Sequence, residues 1–466
     1  MNEKYFVDLK NEAPKNGDTA FVMAVIKVLK KADAFIGMIL YQKDHSQHHA
    51  TLTYTTINDA HCAIISFSDR VSKTLLQDAI TKAYIYLAEL AGCCLSLNTS
   101  IFYHQDEKLL EAQPEHITFC ITHHVPIVDD VTKYFPKPED VLDAFGTDTK
   151  SWQKINDLKT LQAAGLEQLR IRENGFVLQM SDIQGQHFRR SGVDPGRIFP
   201  FPPPLHAMLT AYEPKSSTKP LVGVTRRHFL FTAVARLTFF KHVELLINGA
   251  ILLLQRGLEV SILIAGGDGS QPHSENRASL FGRVPSQFHE HVHIIERIPQ
   301  EDLYAYFSSS QVQQTGIFVC SSRYETLGMT PLEAALSGVT TVITDTEQVE
   351  ATRYFPEWSR FDARPEALAD RLMDLFQHHD LLTRGQDLKS HIEGTIRERG
   401  DFETEFLKAW WKVSNLQSIA PPPTHLPQVI KRREEGTESP LPPKRQGIIC
   451  GEDRIKGNGK YRQGLN

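Results

Sequence analysis

Two glutamates in one loop-and-helix segment are the residues of this chain best suited to bind or activate a substrate. The segment GIFVCSSRYETLGMTPLEAALSGVTTVITDT carries Glu325 in a loop after an apolar run and Glu333 in the helical stretch that follows. The helix is predicted to begin at Thr330 or Pro331, with Thr330 as its N-cap. Glu333, three residues after that cap, is then either a capping-box residue or a ligand contact. Glu325 has no such capping role and is the stronger candidate.

The loop between the two glutamates is predicted to bind an anion. The backbone N–H groups of Leu327, Gly328 and Met329 precede or begin the helix, where free donors and the helix dipole favour negative charge. Gly328 lets a ligand approach the backbone closely. A diphosphate is the ligand that this arrangement fits best.

Two cations and a glycine cluster lie upstream, each after a predicted strand. Arg236 and Lys241 belong to AVARLTFFKHVELL, and Gly266 and Gly267 belong to ILIAGGDGS. Two cations five residues apart often lie in a solvated loop that binds no ligand, and a glycine cluster often forms only a tight turn. At the carboxyl ends of parallel strands, however, they would line the edge of the sheet where ligands bind.

Alternating strand and helix patterns supply the elements that would position these residues. In the first forty residues a short strand (KYFVDL), a loop with Gly17, an amphipathic helix and a buried strand (DAFIGMILY) follow one another. This order is typical of a parallel sheet with crossover helices. Further strands are predicted at HCAIISF, HITFCITHH and GFVLQMS. Asp182 and Gly192 are expected to cap the helix after GFVLQMS at its two ends.

A second series of the same kind follows a proline-rich stretch, and the chain is predicted to fold as two α/β, Rossmann-like domains that face a central cleft. The predicted parts are an amino-terminal domain (1–205), a linker (206–220), a carboxy-terminal domain (221–400), a crossover helix (401–417) and a disordered tail (418–466). The tail is rich in proline and charge, so it cannot bury enough apolar surface to offset its ordering entropy.

The segment from Glu325 to Glu333 resembles the E-x7-E segment of retaining glycosyltransferases of the GT-B fold, of the family-4-like type. The family pattern is S-x-x-E-x-F-G-x-x-x-x-E-A-x-A-x-G-x-P-V, and this chain has SSRYETLGMTPLEAALSGVTTV. Leu327 replaces the usual Phe and Thr340 the usual Pro. Upstream, AVARLTFFKHVELLINGA is similar to the family's R-L-x-x-x-K segment.

The resemblance implies a role for each residue of the donor site. Arg236 and Lys241 would bind the donor diphosphate together with the amides of Gly328 and Met329. Glu325 would contact hydroxyls of the donor sugar, and Glu333 would bind the ribose. Gly266 and Gly267 match the family's glycine-bearing strand end, and the backbone at Arg297 would contact the base; these two assignments rest on weaker motifs.

The amino-terminal half departs more from the family pattern. The usual Gly-Gly loop is KNGDTAF here, so Gly17 is the one glycine left for a donor contact. THHVPIV is similar to the H-x-P region beside the donor sugar. His124 with Pro126 fits that spacing, His123 is the rival, and a histidine without a ligand is the third interpretation.

The function implied is retaining transfer of a sugar from a UDP- or GDP-linked donor to an acceptor that the sequence does not identify: a saccharide, a lipid-linked molecule or a small molecule. No cofactor and no obligatory metal is expected. Two alternatives stay open at this point. One is a sugar-nucleotide epimerase on the same fold, and the other is a non-catalytic module that binds nucleotide sugars.

Composition narrows the function classes further. The formal net charge of -5 gives no support for binding nucleic acid. Six scattered cysteines favour a reducing compartment, and the apolar core of a signal peptide is not seen at the start. We therefore predict a cytoplasmic protein. Lys27, Lys30 and Lys31 form a basic helix face that is a weak candidate for peripheral membrane contact.

Overall fold

The computed structural model describes residues 17–35, 37–44, 46, 48–57, 60–91, 99–102, 107–115, 117–122, 127–145, 152–205, 228–267 and 271–417. All of them lie within one compact unit, Met1–Ala420. The predicted first strand, the predicted linker and the tail lie outside these ranges. The domain boundaries given above stay predictions.

The carboxy-terminal half is built on a six-stranded sheet in which all neighbouring strands are parallel. Its strands are β8 (His228–Val234), β9 (Val260–Gly266), β10 (Val292–Ile295), β11 (Gly316–Cys320), β12 (Thr341–Thr344) and β13 (Arg360–Phe361). They pair in the order β10-β9-β8-β11-β12-β13. This is the 3-2-1-4-5-6 order of a Rossmann sheet, and its strand order reverses between β8 and β11.

Helices cover both faces of this sheet. In chain order they are α8 (Val243–Gln255), α9 (Gln271–Phe281), α10 (Gln300–Ser308), α11 (Ser310–Thr315), α12 (Met329–Leu336), α13 (Pro365–His378) and α14 (Leu381–Glu398). Because both faces are covered, β9, β11 and β12 are buried at every position and read as continuous apolar runs. Their side chains divide between two hydrophobic clusters.

The amino-terminal half contains a three-stranded and a four-stranded sheet among its described residues. The first comprises β1 (Gly37–Lys43), β2 (Thr51–Ile57) and β3 (Ala60–Phe67), in the order β1-β3-β2. The second comprises β4 (Thr99–Phe102), β5 (Thr118–Ile121), β6 (Gly175–Gln179) and β7 (Ile198–Pro200), each parallel to the next. The sequence interpretation missed β2 and β4, and β2 runs antiparallel to β3.

The helices of this half are α1 (Gly17–Lys31), α2 (Lys73–Ala91), α3 (Glu107–Glu111), α4 (Val128–Tyr134), α5 (Pro138–Phe145), α6 (Trp152–Ile171) and α7 (Asp182–Arg190). The last described helix, α15 (Phe402–Gln417), returns to them. Phe402 of α15 packs against Phe21 of α1, and both Phe402 and Phe406 pack against Phe201. The last described helix, α15, therefore packs against the first one, α1.

The caps of α7 show one correction and one confirmation. Ser181, not Asp182, is the N-cap, because its side chain accepts a hydrogen bond from the Gln184 N–H at 3.1 Å. Asp182 is the first helical residue, where a carboxylate favours the helix dipole. Gly192 follows the helix with φ 82°, as expected for a C-terminal glycine. Among the described residues, no helix has the length and apolar character needed to cross a membrane.

Candidate active site

Lys241 and Glu325 meet where the strand order of the six-stranded sheet reverses. In open α/β sheets, ligands bind outside the carboxyl ends of the strands at this point. Lys241 ends a 3-10 turn shortly after β8, and Glu325 lies in the loop after β11. The Lys241 Nζ lies 2.5 Å from the Glu325 Oε1, with the two side chains 24% and 15% exposed. Because both are largely shielded from water, this ion pair is screened less than a surface pair.

Hydrogen bonds from the β11 loop fix both residues of the pair. The Ser321 hydroxyl donates to the Lys241 carbonyl at 3.1 Å, and the Arg323 N–H donates to the Phe240 carbonyl at 2.7 Å. The Ser322 hydroxyl donates to the Glu325 Oε1 at 2.7 Å. Ser322 and Lys241 therefore converge on one oxygen of the Glu325 carboxylate, which leaves lone pairs of Oε2 for a ligand.

Gly328 is the N-cap of α12, with φ 85° and ψ 62°. This left-handed conformation favours glycine, and a Cβ at Gly328 would lie 2.9 Å from the Cβ of Ala351. The helix begins at Met329, one or two residues before the predicted start at Thr330 or Pro331, and the predicted Thr330 N-cap is wrong. The first N–H groups of α12 have no partners within the helix, so this end can donate to an anion.

Glu333 is a buried carboxylate with neutral partners, not a capping-box residue. Only 2% of the residue is exposed. The Gln300 Nε2, at the start of α10, lies 3.3 and 3.4 Å from the two carboxylate oxygens. Burial raises the pKa of Glu333 to about 7, although hydrogen bonds from Tyr304 and Gln300 oppose this effect. Near neutral pH, the protonated and ionised forms are therefore both populated.

The loops after β9 and β10 contact each other at the carboxyl edge of the sheet. Gly267 has φ 72°, again in the left-handed region. Its carbonyl accepts a hydrogen bond from the Arg297 N–H at 2.8 Å. A Cβ at Gly266 would lie 2.8 Å from the Leu237 Cδ2, so a larger residue would disturb the turn after β8. The two glycines thus allow close packing at the carboxyl edge of the sheet.

The other predicted site residues occupy different surroundings. Arg236 is exposed in the turn after β8 and makes no ion pair with a residue in the described ranges. Leu327 is half-buried beside Gly328. Gly17 is the first residue of α1. His124, its rival His123 and Pro126 lie outside the described residues, so their assignment stays a prediction.

Glu350 connects this site to the amino-terminal half. Its backbone N–H donates to the Glu325 carbonyl at 3.2 Å, and its Oε2 accepts from the Ile183 N–H of α7 at 3.2 Å. The carboxylate is fully buried, and Arg353 lies 3.9 Å away. Arg353 also pairs with Asp182 at the start of α7. Glu350 follows Val349, which forms a β-bridge with Glu325, and its side chain therefore joins the Glu325 loop to the first turn of α7.

Within the described part of the chain, no group of three or more His, Cys, Asp or Glu side chains is arranged to hold a metal ion. At the predicted diphosphate site the positive groups are the Lys241 ammonium and the partial charges of the N–H groups at the start of α12, and the Glu325 carboxylate lies against Lys241. Any neutralisation of a ligand's charge by the described residues would come from protein cations and backbone amides.

Residues 222–382 match the family model described as glycosyl transferases group 1. The chain carries a group 1 glycosyltransferase domain. The matched residues include Lys241, Glu325, Gly328 and Glu333, so the domain and the geometry described above coincide. No curated protein sequence matches the chain.

Solved structures similar to the chain have the GT-B fold. An E. coli structure described as trehalose-6-phosphate bound with UDP-2-fluoro glucose has a TM-score of 0.55 at 12% identity, over 88% of this chain and 97% of that one. Sucrose-phosphate synthase from Thermosynechococcus elongatus has a TM-score of 0.57 at 14% identity, over 87% and 94% of the two chains.

A third similar structure is an α,α-trehalose-phosphate synthase (UDP-forming) from Burkholderia xenovorans in complex with glucose-6-phosphate. Its TM-score is 0.54 at 14% identity, over 84% of this chain and 96% of that one. The predicted fold class and the resemblance to GT-B glycosyltransferases are confirmed.

Sequence reasoning missed three residues of the glycosyltransferase domain that the structure brings to the site. Ser322 could have been noticed, because it lies three residues before Glu325 in the same loop. Gln300 is separated from Glu333 by several elements, and no local pattern connects them. Glu350 contacts a helix of the other half, which only the tertiary structure reveals.

Proposed function

We propose that this chain transfers a sugar from a nucleotide-diphosphate donor to an acceptor hydroxyl with retention of anomeric configuration. The observation that carries the proposal is the Lys241–Glu325 contact at the reversal point of the sheet, beside the N-terminus of α12. The donor is proposed to be UDP-linked, with GDP as the alternative. The UDP named for two of the similar structures supports this choice.

The diphosphate is proposed to lie between Lys241 and the N-terminus of α12. Gly328 permits close approach to the backbone, and the amides of Gly328 and Met329 donate hydrogen bonds. Arg236, exposed in the turn after β8, adds a second cation once a ligand is bound. These groups neutralise the charge that develops on the leaving diphosphate as the glycosidic bond breaks.

Glu325 is proposed to orient the donor sugar. Lys241 and Ser322 bind its Oε1, so Oε2 is the atom that accepts hydrogen bonds from sugar hydroxyls. Glu333 is proposed to bind the ribose hydroxyls, and the backbone at Arg297 the base. His124 is proposed to contact the sugar from the amino-terminal half.

The reaction balances without an additional base. The bond between the anomeric carbon and the β-phosphate oxygen breaks, and a bond from the acceptor oxygen forms on the same face. The acceptor's proton passes to the departing phosphate, which carries the electron pair of the broken bond. We propose that no obligatory metal takes part, because protein cations and amides occupy the role that a metal has in other phosphate sites.

The test is to incubate the protein with UDP-glucose and hexose 6-phosphates, and to measure UDP release and the transferred product. Glu325→Gln removes the charge but keeps the shape of the side chain. We expect turnover to fall about 100-fold or more, while UDP still raises the melting temperature. The matched control is Glu357→Gln, an exposed glutamate of the same half, which should behave like the wild type.

Three outcomes would contradict the proposal. No stabilisation by UDP or GDP would remove the donor assignment. Unchanged turnover in Glu325→Gln would show that the proposed site is not the active one. Conversion of UDP-glucose to its epimer without transfer would favour the epimerase alternative.

A further inference from the structure

Lys241 belongs to a turn that has little stability of its own. The 3-10 turn Phe239–Lys241 is three residues long, and the side chain of its N-cap, Thr238, makes no capping hydrogen bond. The residue after the turn, His242, has φ 44° and ψ 44°, a left-handed conformation that is uncommon for a residue other than glycine. A single short turn is not stable in isolation. The position of the Lys241 side chain therefore depends on the groups that pack against this turn.

Arg323, in the loop that also carries Glu325, contacts this turn through its backbone and through its side chain. Its N–H donates to the Phe240 carbonyl at 2.7 Å. Its guanidinium Cζ lies 4.2 Å from the centroid of the Phe239 ring. A planar guanidinium stacks well on an aromatic face, and the electrons of the ring attract its charge. The loop after β11 therefore fixes the Lys241 turn as well as the Glu325 carboxylate.

The Arg323 guanidinium is partly removed from water, which strengthens its contact with the ring. Its Nε is buried and has no hydrogen-bond partner among the described residues. Burial lowers the pKa of Arg323, although the charges of Asp140, Glu244 and Asp143 oppose this effect. An arginine stays protonated at neutral pH. Because a cation is attracted to an aromatic face more strongly when it is desolvated, Phe239 stabilises Arg323 more here than it would at the surface.

The amino-terminal half also packs on this turn. Phe135, just after α4, meets Phe239 edge to face, with 5.3 Å between the ring centroids and 87° between the ring planes. Phe145, at the end of α5, meets Phe240 in the same way at 6.1 Å and 83°. Edge-to-face pairs at these distances are favourable. Phe239 is therefore in contact with Arg323 of the carboxy-terminal half and with Phe135 of the amino-terminal half.

We propose that Arg323 is a positioning residue for Lys241: it holds Phe239, and with it the turn, so that the Lys241 ammonium lies where the donor diphosphate binds. This inference rests on the proposed transferase function. Arg323 does not touch the diphosphate, and its effect on the ligand passes through Lys241. Phe135 completes the contact from the amino-terminal half, so a residue outside the matched glycosyltransferase domain contributes to nucleotide affinity.

The first experiment is a double-mutant cycle between Arg323 and Lys241. UDP affinity is measured by calorimetry, and by the shift in melting temperature at millimolar UDP for weak binders. Arg323→Met removes the guanidinium and keeps an unbranched apolar side chain. We expect it to weaken UDP binding about fivefold when Lys241 is present, and to have no further effect in a Lys241→Met background. The matched control is Arg384→Met, because Arg384 lies over the Trp358 ring at 5.0 Å, outside the proposed site. It should bind UDP like the wild type.

Two results of this cycle would overturn the proposal. An equal loss of affinity in both backgrounds would show that Arg323 contacts the ligand directly or acts on the fold as a whole. Unchanged affinity in Arg323→Met would show that the turn is held without the guanidinium. Arg323→Lys keeps a cation on the ring and should recover part of the affinity; it also serves if the Met variant does not fold. A wild type that does not bind UDP would instead refute the proposed transferase function, so the two failures are distinguishable.

The second experiment tests the contribution of the amino-terminal half with Phe135→Leu. The change removes the ring and keeps an apolar side chain. We expect UDP affinity to fall about twofold, and this loss to disappear in the Lys241→Met background. The matched control is Tyr86→Leu, because the Tyr86 ring packs on Tyr54 of the same half at 4.1 Å. It should leave UDP affinity unchanged. Wild-type affinity in Phe135→Leu, or an equal loss in Tyr86→Leu, would overturn the role of Phe135.

Discussion

Glu333 and Glu350 are both buried glutamates of the carboxy-terminal half, but their partners differ. At Glu350, the start of a helix and two arginines at 3.9 Å offset part of the cost of burying the negative charge. At Glu333, the hydrogen-bond donors that contact the carboxylate are neutral side chains, Gln300 and Tyr304. Burial raises the pKa of both groups.

This difference separates a structural carboxylate from a ligand-binding one. The charged and polar partners of Glu350, which lies between the two halves of the chain, are all groups of the protein. The ionised form of Glu333 is left under-stabilised until further donors arrive. Ribose hydroxyls would be such donors, which agrees with the proposed role of Glu333.

The largest expected effect is on stability, in Glu350→Ala. The change leaves the buried Ile183 N–H without a partner and creates a cavity, so we expect the free energy of unfolding to fall by about 3 kcal/mol. UDP affinity should change less than twofold. Thermal melting and calorimetry measure the two quantities, with the exposed Glu357→Ala as control. A melting temperature equal to that of the control would contradict the structural role of Glu350.

The next effect is on ligand affinity, in Glu333→Gln. A hydrogen bond to a charged group is worth more than a neutral one, so UDP affinity should fall about tenfold or more. The melting temperature of the ligand-free variant should not fall, because the burial of an uncompensated carboxylate is removed. A variant that is less stable but binds UDP normally would reverse the comparison between the two glutamates.

A smaller effect is expected from pH. The folded-state pKa of Glu333 is about 7 and lies above its ordinary value, so the folded protein binds this proton more tightly than the unfolded chain. The contribution of this proton to the free energy of unfolding is fully present below the ordinary pKa and is lost as pH rises through about 7.

The measurement is the difference in melting temperature between the wild type and Glu333→Gln. As pH rises from about 4.5 to about 7, we expect the melting temperature of the variant to increase relative to that of the wild type. Above that range the difference between the two should stay constant. UDP affinity of the wild type should increase over the upper part of this range, because the ionised carboxylate is the better acceptor. Parallel pH profiles in the wild type and the variant would show that Glu333 does not titrate there.

The smallest expected effect is that of metal removal. An under-compensated carboxylate such as Glu333 could also serve as a ligand for a metal ion, and this alternative is testable. We expect EDTA to leave UDP affinity and turnover unchanged. Loss of either, with recovery on adding Mg²⁺ or Mn²⁺, would replace the proposed metal-free mechanism.

The carboxy-terminal half was largely predictable because its signals are local. Continuous apolar runs indicate buried parallel strands, and Lys241, Glu325 and Gly328 follow such runs. The amino-terminal half was less predictable. The strand β2 is mostly exposed and threonine-rich, so it lacks the apolar signal, and its antiparallel pairing with β3 depends on a neighbour rather than on its own sequence.

The details missed in the site are tertiary ones. A left-handed Gly328 is the N-cap of α12, so the helix begins at Met329, and the Ala351 side chain leaves no room for a Cβ at Gly328. The neutral donors around Glu333 come from α10, and the burial that raises its pKa comes from the whole fold. The start of α12 and the surroundings of Glu333 depend on contacts between segments far apart in the sequence, so no local motif predicts them.

The central claim is that one cation, one carboxylate and one helix N-terminus bind a single sugar nucleotide. A crystal structure with UDP-2-fluoro glucose tests it most directly. We predict the diphosphate within hydrogen-bond distance of Lys241 and of the Gly328 and Met329 amides, with a sugar hydroxyl on the Glu325 Oε2. A ligand bound elsewhere, with Lys241 and Glu325 still joined and untouched, would contradict the account.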